Sequence, residues 1–249
     1  MADSVSRSDS GGERQVRSPS LIVQRLRFPA LGDAAPTLEG ELRVPDGAGP
    51  VPGVVVAHPH PLRGGSMSSN VVVAICDGLE AAGIASLRFN FRGVGGSEGA
   101  YGEGIAERDD VRGALAFLAA HPAIDGERIG LAGYSFGAGV SLAVVADARV
   151  VKALLCVAPR LTEPIPAERI PCPYLVLVGD QDGNLADGAE AYAARLPDPT
   201  RLRVTAGTDH FWWGFERVLA DTARQFFTES LARSIATVTT VEDPQGHSR

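Results

Sequence analysis

Arg128-Ile129-Gly130-Leu131-Ala132-Gly133-Tyr134-Ser135-Phe136-Gly137-Ala138-Gly139-Val140-Ser141-Leu142-Ala143-Val144-Val145 decides how this chain folds. Residues 128–132 read as a short buried strand and residues 138–145 as the start of a helix, with Gly133–Gly137 between them. A Gly-x-Ser-x-Gly junction of this kind is too sharp for side chains two residues to either side of the serine. Glycines at 133 and 137 remove that clash and let strand and helix approach. Ser135 is then forced into an uncommon backbone conformation, with its hydroxyl held clear of the protein. Strain of this sort is stored at functional sites, and it makes Ser135 the candidate nucleophile.

Working outward, the same alternation recurs. Ile22–Phe28 and Leu38–Val44 read as an opening antiparallel pair of half-exposed strands. Pro50–Gly53 reads as a break, and Val54–Ala57 as a strand covered on both faces. Asn70–Ala82 has helical spacing and is stopped by Gly83. Ser86–Phe91 is the next strand and Ala106–Ala120 the next helix, with Pro122 just beyond it. After the Ser135 turn come strands at Ala153–Val157 and Leu175–Val178, a helix at Asp187–Leu196, a strand at Leu202–Thr205 and a closing helix at Gly214–Ala232. Strand and helix in alternation predict an α/β architecture, a parallel sheet with helices on both faces. Ligands of such sheets bind at the carboxyl ends of the strands.

A serine hydroxyl needs a base within reach, and the base needs an orienting partner. Histidine is the usual base because it titrates near neutrality. Of the five histidines, His247 lies in the C-terminal stretch and His121 ends a helix. His58 and His60 precede the serine, after the third strand. His210, in Gly207-Thr208-Asp209-His210-Phe211, follows the last strand and is the expected base. The orienting acid belongs on Gly179-Asp180-Gln181-Asp182-Gly183-Asn184. Asp180 directly after the glycine suits a turn-holding role. Asp182 stands further out and is the preferred acid, while Asp187 is expected to cap the next helix. The order Ser135, Asp182, His210 is the order for a strand-turn-helix nucleophile.

An oxyanion needs two backbone donors. Phe136 supplies one at the helix N-terminus. In His58-Pro59-His60-Pro61 the prolines have no N–H, so His60 is the expected second donor, with Leu62 behind it. A metal on His58 and His60 lacks a carboxylate or cysteine cluster at ligand spacing. Arg92-Gly93-Val94-Gly95-Gly96-Ser97-Glu98-Gly99 resembles a dinucleotide loop, but Glu98 occupies the required third glycine. It reads instead as a loop bordering the cleft.

Composition narrows the function. A chain of 249 residues fits one domain, expected at 20–234 between tails at 1–19 and 235–249. A net charge of −7 argues against nucleic acid and against a polybasic membrane patch. Cys76, Cys156 and Cys172 are scattered and odd in number, as in a protein of the reducing cytoplasm. Residues 1–20 hold no continuous apolar segment of the export-signal type.

Taken together, five stretches resemble the α/β-hydrolases, and more narrowly the compact bacterial dienelactone-hydrolase-like proteins. They are His58-Pro59-His60-Pro61 with Gly64-Gly65-Ser66-Met67, Leu87–Gly95, Gly133–Gly137, Gly179–Asp182 and Asp209–Phe211. The resemblance implies an eight-stranded, mostly parallel sheet with the second strand antiparallel. It also implies a Ser-His-Asp triad that uses no cofactor and no metal. True dienelactone hydrolases carry a cysteine where Ser135 stands, so lactone hydrolysis is not implied. Pro159–Cys172, where larger members insert a lid, is short and proline-rich, so the lid is minimal. The expected cleft is open and edged by Leu62, Arg92, Tyr134, Leu161, Phe211 and Trp212. The expected substrate is a small-molecule or carrier-bound ester or acyl group, hydrolysed as ester or thioester. Acyl transfer or cyclisation, short-peptide hydrolysis, and a non-catalytic binding role on the same fold are the alternatives.

Overall fold

The computed structural model describes residues 21–32, 35–47 and 49–232; the expected tails lie outside them. Eight strands form one open sheet: β1 (Leu21–Pro29), β2 (Thr37–Pro45), β3 (Val51–Ala57), β4 (Ala85–Phe89), β5 (Ile124–Tyr134), β6 (Val151–Val157), β7 (Tyr174–Gly179) and β8 (Leu202–Thr205). Their spatial order is β1-β2-β4-β3-β5-β6-β7-β8. β2 runs antiparallel to both β1 and β4, and every other pairing is parallel. The helices are α1 (Asn70–Ala81), α2 (Glu107–Ala120), α3 (Phe136–Val145), α4 (Ala189–Ala193) and α5 (Glu216–Ser230).

The two-residue period of a strand divides the core into two layers. Val55 and Ala57 of β3 and Leu131 of β5 face a cluster built with Val111 and Leu118 of α2 and Val140 and Val144 of α3. Val54, Val56 and Ala132 face the opposite cluster, with Val72 and Ile75 of α1 and Ala223 and Phe227 of α5. Both faces of the central strands are thus dry, which is why their sequences are continuous apolar runs. The sheet carries the site at its carboxyl-end edge.

Among the differences from expectation, three have a clear local reason. Pro50–Gly53 is not a break, because β3 begins at Val51. Pro52 sits where the β3–β5 register shifts between Val51 and Gly53, so its missing N–H interrupts no ladder bond. The helix expected over 187–196 shrinks to α4. Gly188, at φ 89°, is its N-cap, while Asp187 pairs with Arg195 at 2.9 Å instead of capping it. The glycine-rich loop after Arg92 does not border the cleft. It docks on the β1–β2 hairpin, where Arg27 donates to the Gly96 carbonyl at 2.9 Å and Glu98 accepts from the Thr37 N–H at 3.0 Å.

Candidate active site

β5 ends at Tyr134 and α3 begins at Phe136, leaving Ser135 alone between them. Its φ of 53° and ψ of −110° lie outside the regions a serine prefers. The cause is steric. A Cβ at Gly133 would stand 2.5 Å from the Gly137 carbonyl oxygen, and one at Gly137 would stand 2.5 Å from the carbonyl oxygens of Ala57 and His58. Only glycine permits this backbone crossing. The turn is held by the Ser135 N–H, which donates to Val157 at 2.8 Å.

Three loops at the same sheet edge converge on the serine. Ser135 Oγ lies 2.9 Å from His210 Nε2, and His210 Nδ1 lies 2.9 Å from Asp182 Oδ2. Asp182 is almost wholly buried, with its side chain 2% exposed, whereas that of His210 is 33% exposed. The second oxygen of Asp182 accepts from the Asn184 N–H at 2.8 Å, which fixes the carboxylate plane. A carboxylate at Nδ1 favours the proton there and leaves Nε2 as acceptor for the serine hydroxyl. Asp180 lies elsewhere, accepting from the Gly207 N–H at 2.8 Å and so tying the loop after β7 to the loop after β8. The His210 backbone is anchored by Tyr134, whose hydroxyl donates to the His210 carbonyl at 2.8 Å. Burial pushes the Tyr134 phenol up to about 12, so it remains a donor at neutral pH.

The Phe136 N–H is the first amide of α3, without an intrahelical acceptor. Across from it lies the loop after β3. Here the Leu62 N–H donates to His60 Nδ1 at 3.2 Å, which removes Leu62 as a reserve donor and leaves the His60 amide. The His60 ring contacts Tyr101 and Phe136, with centroids 5.2 and 5.1 Å away. His58 has a structural environment. Its Nδ1 meets the Pro59 carbonyl at 2.6 Å, and its Nε2 accepts from the Phe91 N–H at 3.0 Å. Burial lowers its pKa to about 4, so the ring is neutral. Among the described residues no three His, Cys, Asp or Glu side chains cluster as a metal site requires.

Four of the expected cleft residues lie elsewhere. Arg92 turns inward to Asp110, at 2.7 Å. Leu161 packs into the core. Trp212 is fully buried against α1 and α5, with Phe211 and Trp213 on either side exposed at 58% and 70%. Trp212 has a positive φ of 59°, and the sequence Phe-Trp-Trp does not say which ring turns inward. Leu62 is exposed on the turn Pro61–Arg63 but does not line the cavity at Ser135. Tyr134 and Phe211 do line it. The residues that take the vacated places are Arg63, Arg160, Asn184 and Trp213. Arg160 was legible in principle, since it lies just past the carboxyl end of β6.

Sequence and structure comparisons agree with this fold. The family model described as X-Pro dipeptidyl-peptidase (S15 family) matches residues 37–164, from β2 through the Ser135 turn. An uncharacterized protein of Rickettsia prowazekii (strain Madrid E) is 31% identical over 178 residues, covering 65% of this chain and 72% of the relative. An α/β serine hydrolase homologue from Coxiella burnetii superposes with a TM-score of 0.69 at 32% identity, over 80% of this chain and 96% of the other. A Xanthomonas campestris structure, described as an α/β serine hydrolase without lid, gives 0.68 at 28% identity, over 85% and 97%. By fold, by its strained serine turn and by these likenesses, the chain belongs to the α/β-hydrolase superfamily and, within it, to the family described as X-Pro dipeptidyl-peptidase (S15 family).

Proposed function

We propose that the protein is a serine hydrolase of carboxylic esters or thioesters. The observation that carries this reading is the 2.9 Å approach of Ser135 Oγ to His210 Nε2, backed by the equal approach of His210 Nδ1 to Asp182. In this reaction Ser135 attacks the acyl carbon as its proton passes to His210. Asp182 holds the tautomer and stabilises the imidazolium. The amides of Phe136 and His60 receive the oxyanion, a contribution of roughly 2.7–4 kcal/mol per donor in such sites. His210 then protonates the leaving group, and water repeats the sequence on the acyl-enzyme. The unpaired cysteines fit action in a reducing cytoplasm.

The family description favours a second reading, cleavage of a short peptide. Removing a dipeptide from a free amino terminus calls for a carboxylate to receive the ammonium. Glu103 is the acid lining the space beside Ser135. A fluorophosphonate probe tests the shared chemistry: labelling of the wild type and none of Ser135→Ala is expected. Unlabelled, well-folded wild type would remove both readings in favour of a non-catalytic role. A 4-nitrophenyl ester against a dipeptidyl 4-nitroanilide then separates them, with the ester expected to be turned over and the anilide not.

A further inference from the structure

Two troughs meet at Ser135, and they differ in chemistry. The smaller, of about 350 Å³, is lined by Phe136, Val140 and Ala143 together with Glu103 and Arg108, and it shares Arg160 with the larger. The larger, of about 800 Å³, holds His210 and is lined by Arg63, Arg160, Ser66, Ser69 and Asn70, with no Asp or Glu among its lining residues. We propose that the larger trough receives an anionic leaving group, bound by Arg63 and Arg160, and that the smaller one takes a short apolar acyl group. This rests on the hydrolase reading above.

The assignment of sides follows the proton. The bond between the acyl carbon and the leaving oxygen or sulfur breaks as that atom takes the proton from His210 Nε2. The leaving group must therefore lie on the His210 side, and His210 lines the larger trough alone. Water then supplies the oxygen of the released acid and returns the proton to the enzyme, so the reaction needs no other reactant.

The charge of the trough follows from its arginines. The half-buried or buried guanidiniums of Arg43, Arg88 and Arg92 are committed to carboxylates, the first two to Glu41 and the third to Asp110, and Arg108, in the smaller cavity, donates to the Gly104 carbonyl at 3.2 Å. Arg63 and Arg160 are exposed, and among the described residues neither forms an ion pair. Nearby acids are engaged: Asp182 by His210, Asp209 by the Phe211 N–H at 2.9 Å, and Glu216 by Asn70 at 3.4 Å. Ser66 and Ser69 hydroxyls each accept a backbone N–H, at 3.2 and 3.3 Å, which leaves both hydroxyl protons to donate. In a chain of net charge −7, a trough with two free guanidiniums and spare hydroxyl donors selects a carboxylate or phosphate.

The test uses butyryl esters of 4-hydroxybenzoate, of 4-hydroxyphenyl phosphate and of methyl 4-hydroxybenzoate, each kcat/KM divided by the ester's hydroxide-catalysed rate. The wild type is expected to favour an anionic ester over the neutral one by about tenfold, the scale of one charge-assisted contact. The preferred anion identifies the carboxylate or phosphate class. Arg63→Gln and Arg160→Gln each lower that preference, as does added salt. Lys152→Gln, at the far amino end of β6, leaves it unchanged. Equal turnover of charged and neutral esters by the wild type overturns the proposal, as does an undiminished preference in both arginine variants. If Ser135 takes no fluorophosphonate and no ester is cleaved, it is the hydrolase reading that has failed. If Ser135 is labelled and the esters are cleaved without preference, only the leaving-group assignment has.

Discussion

The loops after β3 and after β8 stand at the same edge of the sheet, and each presents histidine, yet the imidazoles have opposite environments. His58 is fully buried, bonded at both nitrogens to backbone groups, and held neutral by burial. His210 is a third exposed, with a carboxylate behind it and a serine hydroxyl in front. The difference teaches that proton transfer requires one nitrogen to be left for the reacting group, with a charged partner steadying the other. His58 has spent both nitrogens on holding backbone. The sharpest way to break the comparison is to delete each ring in turn. His210→Ala is expected to lower kcat on a 4-nitrophenyl ester by about 10³-fold or more, because members of such a unit act together. Retained turnover would remove His210 from the chemistry.

The two aspartates of the loop after β7 extend the same contrast. Asp182 reaches the imidazole, whereas Asp180 holds the Gly207 amide. Asp182→Asn keeps the shape but lets the ring choose the wrong tautomer, and a loss of up to about 10⁴-fold in kcat is expected, no larger than that of His210→Ala. Asp180→Asn, which keeps an oxygen to accept from the Gly207 N–H, should leave kcat within a few-fold and lower stability by no more than about 1 kcal/mol. The reverse ranking in kcat would exchange the two assignments.

Much of this is legible in the sequence alone. Buried parallel strands declare themselves as runs such as Val54–Ala57, and a sharp strand-to-helix turn requires Gly133 and Gly137, so the sheet and Ser135 were both legible. The positions of Asp182 and His210 followed from the rule that strand ends carry the chemistry. What stayed hidden was decided by side-chain direction. Nothing in Phe211-Trp212-Trp213 announces that the middle ring turns into the core. Nothing local to Arg92 reveals Asp110, eighteen residues on, which takes its guanidinium away from the cleft. Arg160 and Leu161 are adjacent, and the backbone path alone decides which of them faces the trough. Pro52 misled for a different reason, since its missing donor matters only where a ladder bond is expected, and a register shift excuses it.

His58 offers the last and smallest test, on stability instead of rate. Its pKa lies near 4 in the folded protein, against 6.5 for an unburdened histidine. Below pH 6.5 the unfolded chain takes up a proton that the folded chain refuses. The contribution is therefore nil above that pH, grows unfavourable as pH falls through 6.5, and levels off below about 4. Between pH 7 and pH 5 it should cost about 2 kcal/mol of folding free energy. His58→Gln can still donate to Pro59 and accept from Phe91 but carries no titrating group. Urea unfolding at both pH values should show the wild type losing about 2 kcal/mol more than His58→Gln on acidification. Identical losses would mean that His58 protonates as easily folded as unfolded. The ring would then no longer differ from an exposed imidazole, and burial alone could not be what separates the histidine that holds backbone from the one that faces Ser135.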